Sequence, residues 1–143
     1  MKNISGFWVG HYAYDNAERS PVSFDAELTH EGLQLSGVIT EPNTIRALGY
    51  ENKSELISAE LVGIVSGGFV NFVKTYVGGD VPTDPIAYDG RLDNTRNTIT
   101  GTWRVFDASG RFEMKRDGPP VGVRLKSAKA KAGLEMEVQP KKP

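Results

Sequence analysis

Apolar and polar residues alternate with a period of two through most of the first 118 positions, and no segment there shows a helical period. Val22–His30 shows it most cleanly. Val22, Phe24, Ala26 and Leu28 form one face, and Ser23, Asp25, Glu27 and Thr29 form the other. Such a strand buries one face and wets the other. The same reading gives a first strand at Gly6–Asp15, a third at Leu33–Glu41 and a fourth at Glu55–Val65. A fifth follows at Phe69–Val77, a sixth at Ile86–Leu92, a seventh at Thr98–Phe106 and an eighth at Arg111–Arg116. On strand three the apolar face is Leu33, Leu35, Gly37 and Ile39. On strand one it is Trp8, Gly10, Tyr12 and Tyr14.

The breaks between these runs are turns. Asn16–Pro21, Glu31-Gly32, Ser66-Gly67-Gly68, Gly78–Asp84, Asp93–Asn97 and Asp107–Gly110 are polar or rich in Gly and Pro. Pro42–Ser54 carries no pattern and is predicted as a loop with one helical turn near Thr44–Leu48. Short sequential connections imply antiparallel neighbours, and eight of them in series make a meander. The fold expected is all-β: a single antiparallel up-and-down eight-stranded β-barrel, spanning residues 1–118, with a basic C-terminal tail over 119–143. A barrel of this size can hold one small ligand. A two-sheet sandwich is the alternative architecture. Inward glycines at 10, 37, 63, 90 and 101 fit a strongly coiled barrel wall.

Composition narrows the function without fixing it. The chain of 143 residues has no Cys, which removes disulfides, thiolate metal sites and a Cys nucleophile. No run approaches the about 18 apolar residues that cross a bilayer, and Met1–Ser5 lacks the apolar core of a signal peptide. A cytoplasmic location and no membrane partner are expected. Residues 1–118 carry 11 Lys/Arg against 16 Asp/Glu, and residues 119–143 carry 6 against 2. The body therefore has no nucleic-acid signature. In the tail, Val121/Val123/Leu125 and Leu134/Met136/Val138 alternate with polar residues around the stretch Ser127–Ala132. The segment reads as a flexible, solubilising tail, and the alternative is that those pieces add to a partner's edge or support a homo-oligomer.

Ile4-Ser5-Gly6-Phe7-Trp8 and Ile99-Thr100-Gly101-Thr102-Trp103 share one pattern: Ile, then Ser or Thr, Gly, any residue, Trp. The first resembles the Gly-x-Trp that opens the lipocalin and avidin-type barrels of the calycin superfamily. The resemblance implies a basic residue from the last strand packed over Trp8, with Arg116 in the matching place and Arg111 as the alternative. It also implies a ligand-binding interior. Gly101-Thr102-Trp103 is similar to the Gly-Thr-Trp of avidins, although it comes late here. Pro85-Ile86-Ala87-Tyr88 departs from the second lipocalin signature.

The candidate chemistry lies on strand five. If Phe72 and Tyr76 face inward, Lys74 does too, because side chains alternate strictly. A Lys inside a barrel is costly unless paired or solvated, and such a residue serves as an anion clamp or a pKa-shifted base. The alternatives are the opposite register with Phe69, Asn71, Val73 and Val77 inward, a place at the mouth, or a snorkelling stem. Tyr12, Tyr14, Tyr76 and Tyr88 would give the lumen hydroxyl handles on an apolar wall. With Phe24, Phe72, Lys74 and Trp103 they form the candidate ligand-binding set. His11 is expected outward and His30 beside a turn. Two histidines with no third ligand in register make a poor metal site, and no cofactor is implied. Glu60 reads as the one acid within an apolar strand, facing solvent.

The function expected is binding of a small hydrophobic or aromatic molecule. A structural barrel that works through its edge or tail is one alternative. A barrel enzyme using Lys74 and lumen tyrosines is the other.

Overall fold

Each alternating stretch forms a strand. The computed structural model describes residues 2–16 and 18–118, so the basic segment 119–143 lies outside the described residues. The strands are β1 (Gly6–Tyr14), β2 (Val22–Glu31), β3 (Gln34–Pro42), β4 (Leu56–Ser66), β5 (Phe69–Val77), β6 (Ile86–Leu92), β7 (Thr98–Val105) and β8 (Ala108–Gly118). They pair antiparallel in sequence order, and β8 returns to β1 to close a barrel. The seam sets Trp8 opposite Arg116, Tyr12 opposite Phe112 and Tyr14 opposite Gly110. Closure removes the free edges through which an open sheet would recruit further strands.

Alternation decides what fills the interior. Leu28, Leu35, Ile39, Leu61, Val70 and Ile99 are among the core residues of β2 to β7, each at most 2% exposed. The register of β5 is the one with Phe72, Lys74 and Tyr76 inward and Phe69, Val73 and Val77 outward.

One end of the barrel is plugged. Trp8 is fully buried, and its indole N–H donates to the carbonyl of Ile4 at 2.9 Å. The Arg116 guanidinium lies 5.0 Å from the Trp8 ring and donates to the carbonyls of Ser5 and Asn3 and to Asn97 Oδ1. Arg111 faces out. His30 belongs to the same end. Its Nδ1 accepts from the Ile4 N–H, so its Nε2–H is left to donate to the Gly32 carbonyl. His11 is exposed, and among the described residues no cluster of His, Cys, Asp or Glu could hold a metal ion.

Three local expectations change. The β2–β3 turn is Gly32-Leu33 rather than Glu31-Gly32, so Leu33 sits on the turn, 64% exposed, instead of facing in. The β7–β8 turn is only Phe106-Asp107, and β8 starts at Ala108 rather than Arg111. Gly110 is thus a strand residue, not a turn glycine. The acid on an inward face is Glu41, 1% exposed, while Glu60 is solvent-facing as expected. The helical turn is present as a single 3-10 turn, Ile45–Leu48, ended by Gly49 in the left-handed conformation.

Candidate functional site

The other end of the barrel is open. Strand ends there supply Tyr12 and Tyr14 from β1, Lys74 and Tyr76 from β5, Ile86 and Tyr88 from β6, and Trp103 from β7. Together with the adjoining loops they line a cavity of about 810 Å³. The loops contribute Arg19 before β2, Ile45, Leu48 and Tyr50 after β3, and Phe106 at the β7–β8 turn. Six of the eight residues predicted from sequence therefore meet at one place: Tyr12, Tyr14, Lys74, Tyr76, Tyr88 and Trp103. Phe24 and Phe72 point inward but lie among the packed residues rather than on the cavity wall. Phe72 stacks on Tyr88 at 4.7 Å, and Phe112 meets both edge-on, which makes an aromatic floor.

A buried polar group lies in that floor. Lys74 Nζ donates to Glu41 Oε1 at 2.6 Å. Glu41 Oε2 accepts from the Tyr12 hydroxyl at 2.7 Å and from the Tyr76 hydroxyl at 2.8 Å. The two side chains of the ion pair are 1% and 0% exposed. The ammonium also lies 4.6 Å from the Tyr12 ring centroid and 4.7 Å from that of Tyr76. Lys74 thus has one carboxylate and two aromatic faces for its three N–H groups. Both oxygens of Glu41 are satisfied, as a buried carboxylate requires.

Electrostatics follows from this burial. Desolvation lowers the Lys74 pKa, and Glu41 opposes that fall. Desolvation raises the phenols of Tyr12, Tyr76 and Tyr88 far above their ordinary value, with the Glu41 charge adding to it. Tyr14, half-buried on the wall, is raised by desolvation and held back by Arg19, whose guanidinium lies 4.4 Å from its ring centroid.

Trp103 is set by a missing side chain. Its indole N–H donates to the Ala13 carbonyl at 3.0 Å. Ala13 is on β1, and β8 lies between β1 and β7. The bond crosses β8 at Gly110, where a Cβ would fall on both the Ala13 oxygen and the indole nitrogen. The indole is then held edge-on to Tyr12 and Tyr14, at 5.8 and 5.1 Å.

Glu41 is the site residue that the strand reading missed. Its signal was present, since 35, 37, 39 and 41 share one alternation face. The loop residues Ile45, Leu48 and Tyr50 carried no periodic signal at all.

No protein-family model matches the chain, and no curated protein matches it. Among solved structures, a redesigned β-barrel superposes with a TM-score of 0.62 at 10% sequence identity. The match covers 80% of this chain and 92% of that one. The chain is similar to that barrel in fold, and at this identity the likeness extends to fold alone.

Proposed function

We propose that the open end of the barrel binds a small, largely apolar or aromatic molecule. The observation that carries this reading is the cavity of about 810 Å³, walled by Tyr14, Tyr88, Trp103, Ile86 and Ile45 and open at one end. Ligand pockets of globular proteins have this volume and this mixture of aromatic wall and few polar groups. Two further observations support it. Half-exposed Leu48 and 94%-exposed Phe106 stand at the mouth, where a bound apolar molecule would cover them. The Gly6-Phe7-Trp8 opening with Arg116 over Trp8 is the arrangement that the calycin resemblance implies, and that resemblance also implies a ligand-binding interior.

Barrel catalysis through Lys74 is the second reading, favoured by its depressed pKa. Against it, the ammonium is bonded to Glu41 and covered by tyrosine rings, so a reaction would first have to break that pair.

The test is titration with a neutral, polarity-sensitive fluorophore of the N-phenylnaphthylamine type. Saturable emission enhancement is expected, with quenching of Trp103. The variant Ala108→Trp, which fills the mouth from a partly exposed cavity position, should abolish both. No saturable enhancement, or enhancement unchanged in the folded Ala108→Trp variant, overturns the reading.

A further inference from the structure

The buried network fixes which way its hydroxyl protons point, and so what the cavity floor offers a ligand. A carboxylate only accepts hydrogen bonds. Tyr12 and Tyr76, at 2.7 and 2.8 Å from Glu41 Oε2, must therefore each spend their single hydroxyl proton on it. The two phenol oxygens are 3.5 Å apart, too far for a good bond between them, and neither has a second proton to give. Each oxygen keeps its lone pairs. Tyr12 and Tyr76 both line the cavity, and Tyr76, at 9% exposure against 4%, offers a ligand the more accessible acceptor. Lys74 also lines the cavity, but its side chain is 1% exposed and its ammonium is bonded to Glu41 and lies against the Tyr12 and Tyr76 rings.

The geometry points to a hydrogen-bond donor as the group a ligand presents to the Tyr76 oxygen: an aromatic alcohol, or a ring or amide N–H, in preference to a carboxylate or an ether. The Tyr76 oxygen, oriented by Glu41 and Lys74, takes the ligand's proton, and Tyr88 and Trp103 flank the ring that carries it. At the floor an anionic head would meet phenol lone pairs, with the Lys74 ammonium already bonded to Glu41 and the Arg19 guanidinium out at the mouth against Tyr14. At the Tyr76 oxygen an ether would set acceptor against acceptor. The inference rests on the cavity being the binding site, and it adds the polarity of the ligand.

The experiment is displacement of the same fluorophore by naphthalene, 2-naphthol, 2-methoxynaphthalene and 2-naphthoate, which share one ring system. 2-Naphthol is expected to bind about tenfold tighter than 2-methoxynaphthalene, the advantage of one hydrogen bond in a site closed to water. 2-Naphthoate is expected to bind no better than naphthalene. The preference should fall to about twofold or less in Tyr76→Phe and persist in Tyr14→Phe, as one acceptor is removed and the other kept. Equal affinities for naphthol and its methyl ether overturn the inference and leave the cavity reading standing. Tightest binding of naphthoate also overturns it, by making a cation of the cavity, Lys74 or Arg19, the anchor. If the fluorophore itself fails to bind, the cavity reading falls, and this inference with it. The comparison within the unsubstituted protein decides the question even if Tyr76→Phe does not fold.

Discussion

Glu41 and Lys74 form a buried pair, so removing either should be costly in a way whose pH dependence identifies the survivor. Take Glu41→Gln. The Gln carbonyl can still accept from Tyr12 and Tyr76, but the ammonium of Lys74 would face an amide in a site closed to water. The protein can escape by deprotonating Lys74, whose lone pair then accepts from the Gln N–H. That escape sets a ceiling on the cost. From the ordinary Lys value of 10.5 to about pH 7 is about 3.5 pH units, and at about 1.4 kcal/mol per unit the ceiling is about 5 kcal/mol. Loss of one partner of a buried pair commonly costs about 3–5 kcal/mol, which falls under that ceiling. With Lys74 neutral in the folded variant and charged in the unfolded chain, the unfolded chain binds one more proton. The variant should then gain on the unsubstituted protein by about 1.4 kcal/mol per unit as pH rises from about 7 toward the ordinary lysine value. Lys74→Met leaves a buried carboxylate without its cation. It should cost about 3–5 kcal/mol and lack the rise in stability with pH that Glu41→Gln shows. The double variant Glu41→Gln/Lys74→Met should cost less than the two losses added together. Urea unfolding of all four proteins at about three pH values between about 6 and 9, followed by circular dichroism, measures these differences. Losses under about 1 kcal/mol with no pH slope would show a solvated pair of surface type and refute the sealed network.

Two further outcomes test the ends of the barrel. Phenols held neutral by burial contribute stability that is complete below the ordinary tyrosine value of 10.0 and is lost as pH rises above it. Phenolate absorbance from Tyr12, Tyr76 and Tyr88 should therefore appear together with loss of the β-sheet circular dichroism signal, not before it. At the plug, Arg116→Ala removes a cation over Trp8 and the donors to Ser5, Asn3 and Asn97. It should cost about 3 kcal/mol in urea unfolding followed by tryptophan emission, and Arg116→Lys should recover little, since an ammonium cannot reproduce the fork.

The barrel was legible because its evidence is local. Alternation on Val22–His30 or Phe69–Val77 needs no knowledge of any other strand, and short turns leave a meander few ways to run. That logic also brought Tyr12, Tyr76 and Lys74 to one interior. Glu41 was written in the same code, yet a carboxylate just before Pro42 reads equally well as the start of a loop. Its inward place makes sense only once Lys74 is known to be opposite, 33 positions later and two strands away. The mouth was illegible for a different reason. Ile45, Leu48 and Tyr50 sit where a 3-10 turn and coil fold back over the lumen, and no periodicity marks such a segment. Gly110 misled in its turn, because Gly marks both turns and close approaches. Only the indole crossing over it separates the two.

The repeated Ile-x-Gly-x-Trp pattern acquires its meaning from height within the wall. β1 and β7 run in the same direction, each two strands apart across β8, so equal motifs would give equal tryptophans if they began at equal levels. They do not. Trp8 is the third residue of β1, and Trp103 is the sixth residue of β7. The first indole therefore bonds back to Ile4 and closes the barrel, whereas the second bonds across to Ala13 and forms part of the open wall. Between the two levels lies the Glu41–Lys74 network, with every donor of the pair directed at a carboxylate or a ring. A polar group of that kind would be wasted in a solid core, where apolar residues of the same volume serve as well or better. At the base of a cavity it does something they cannot: it holds the Tyr76 hydroxyl in one proton orientation, so that this oxygen accepts and does not donate.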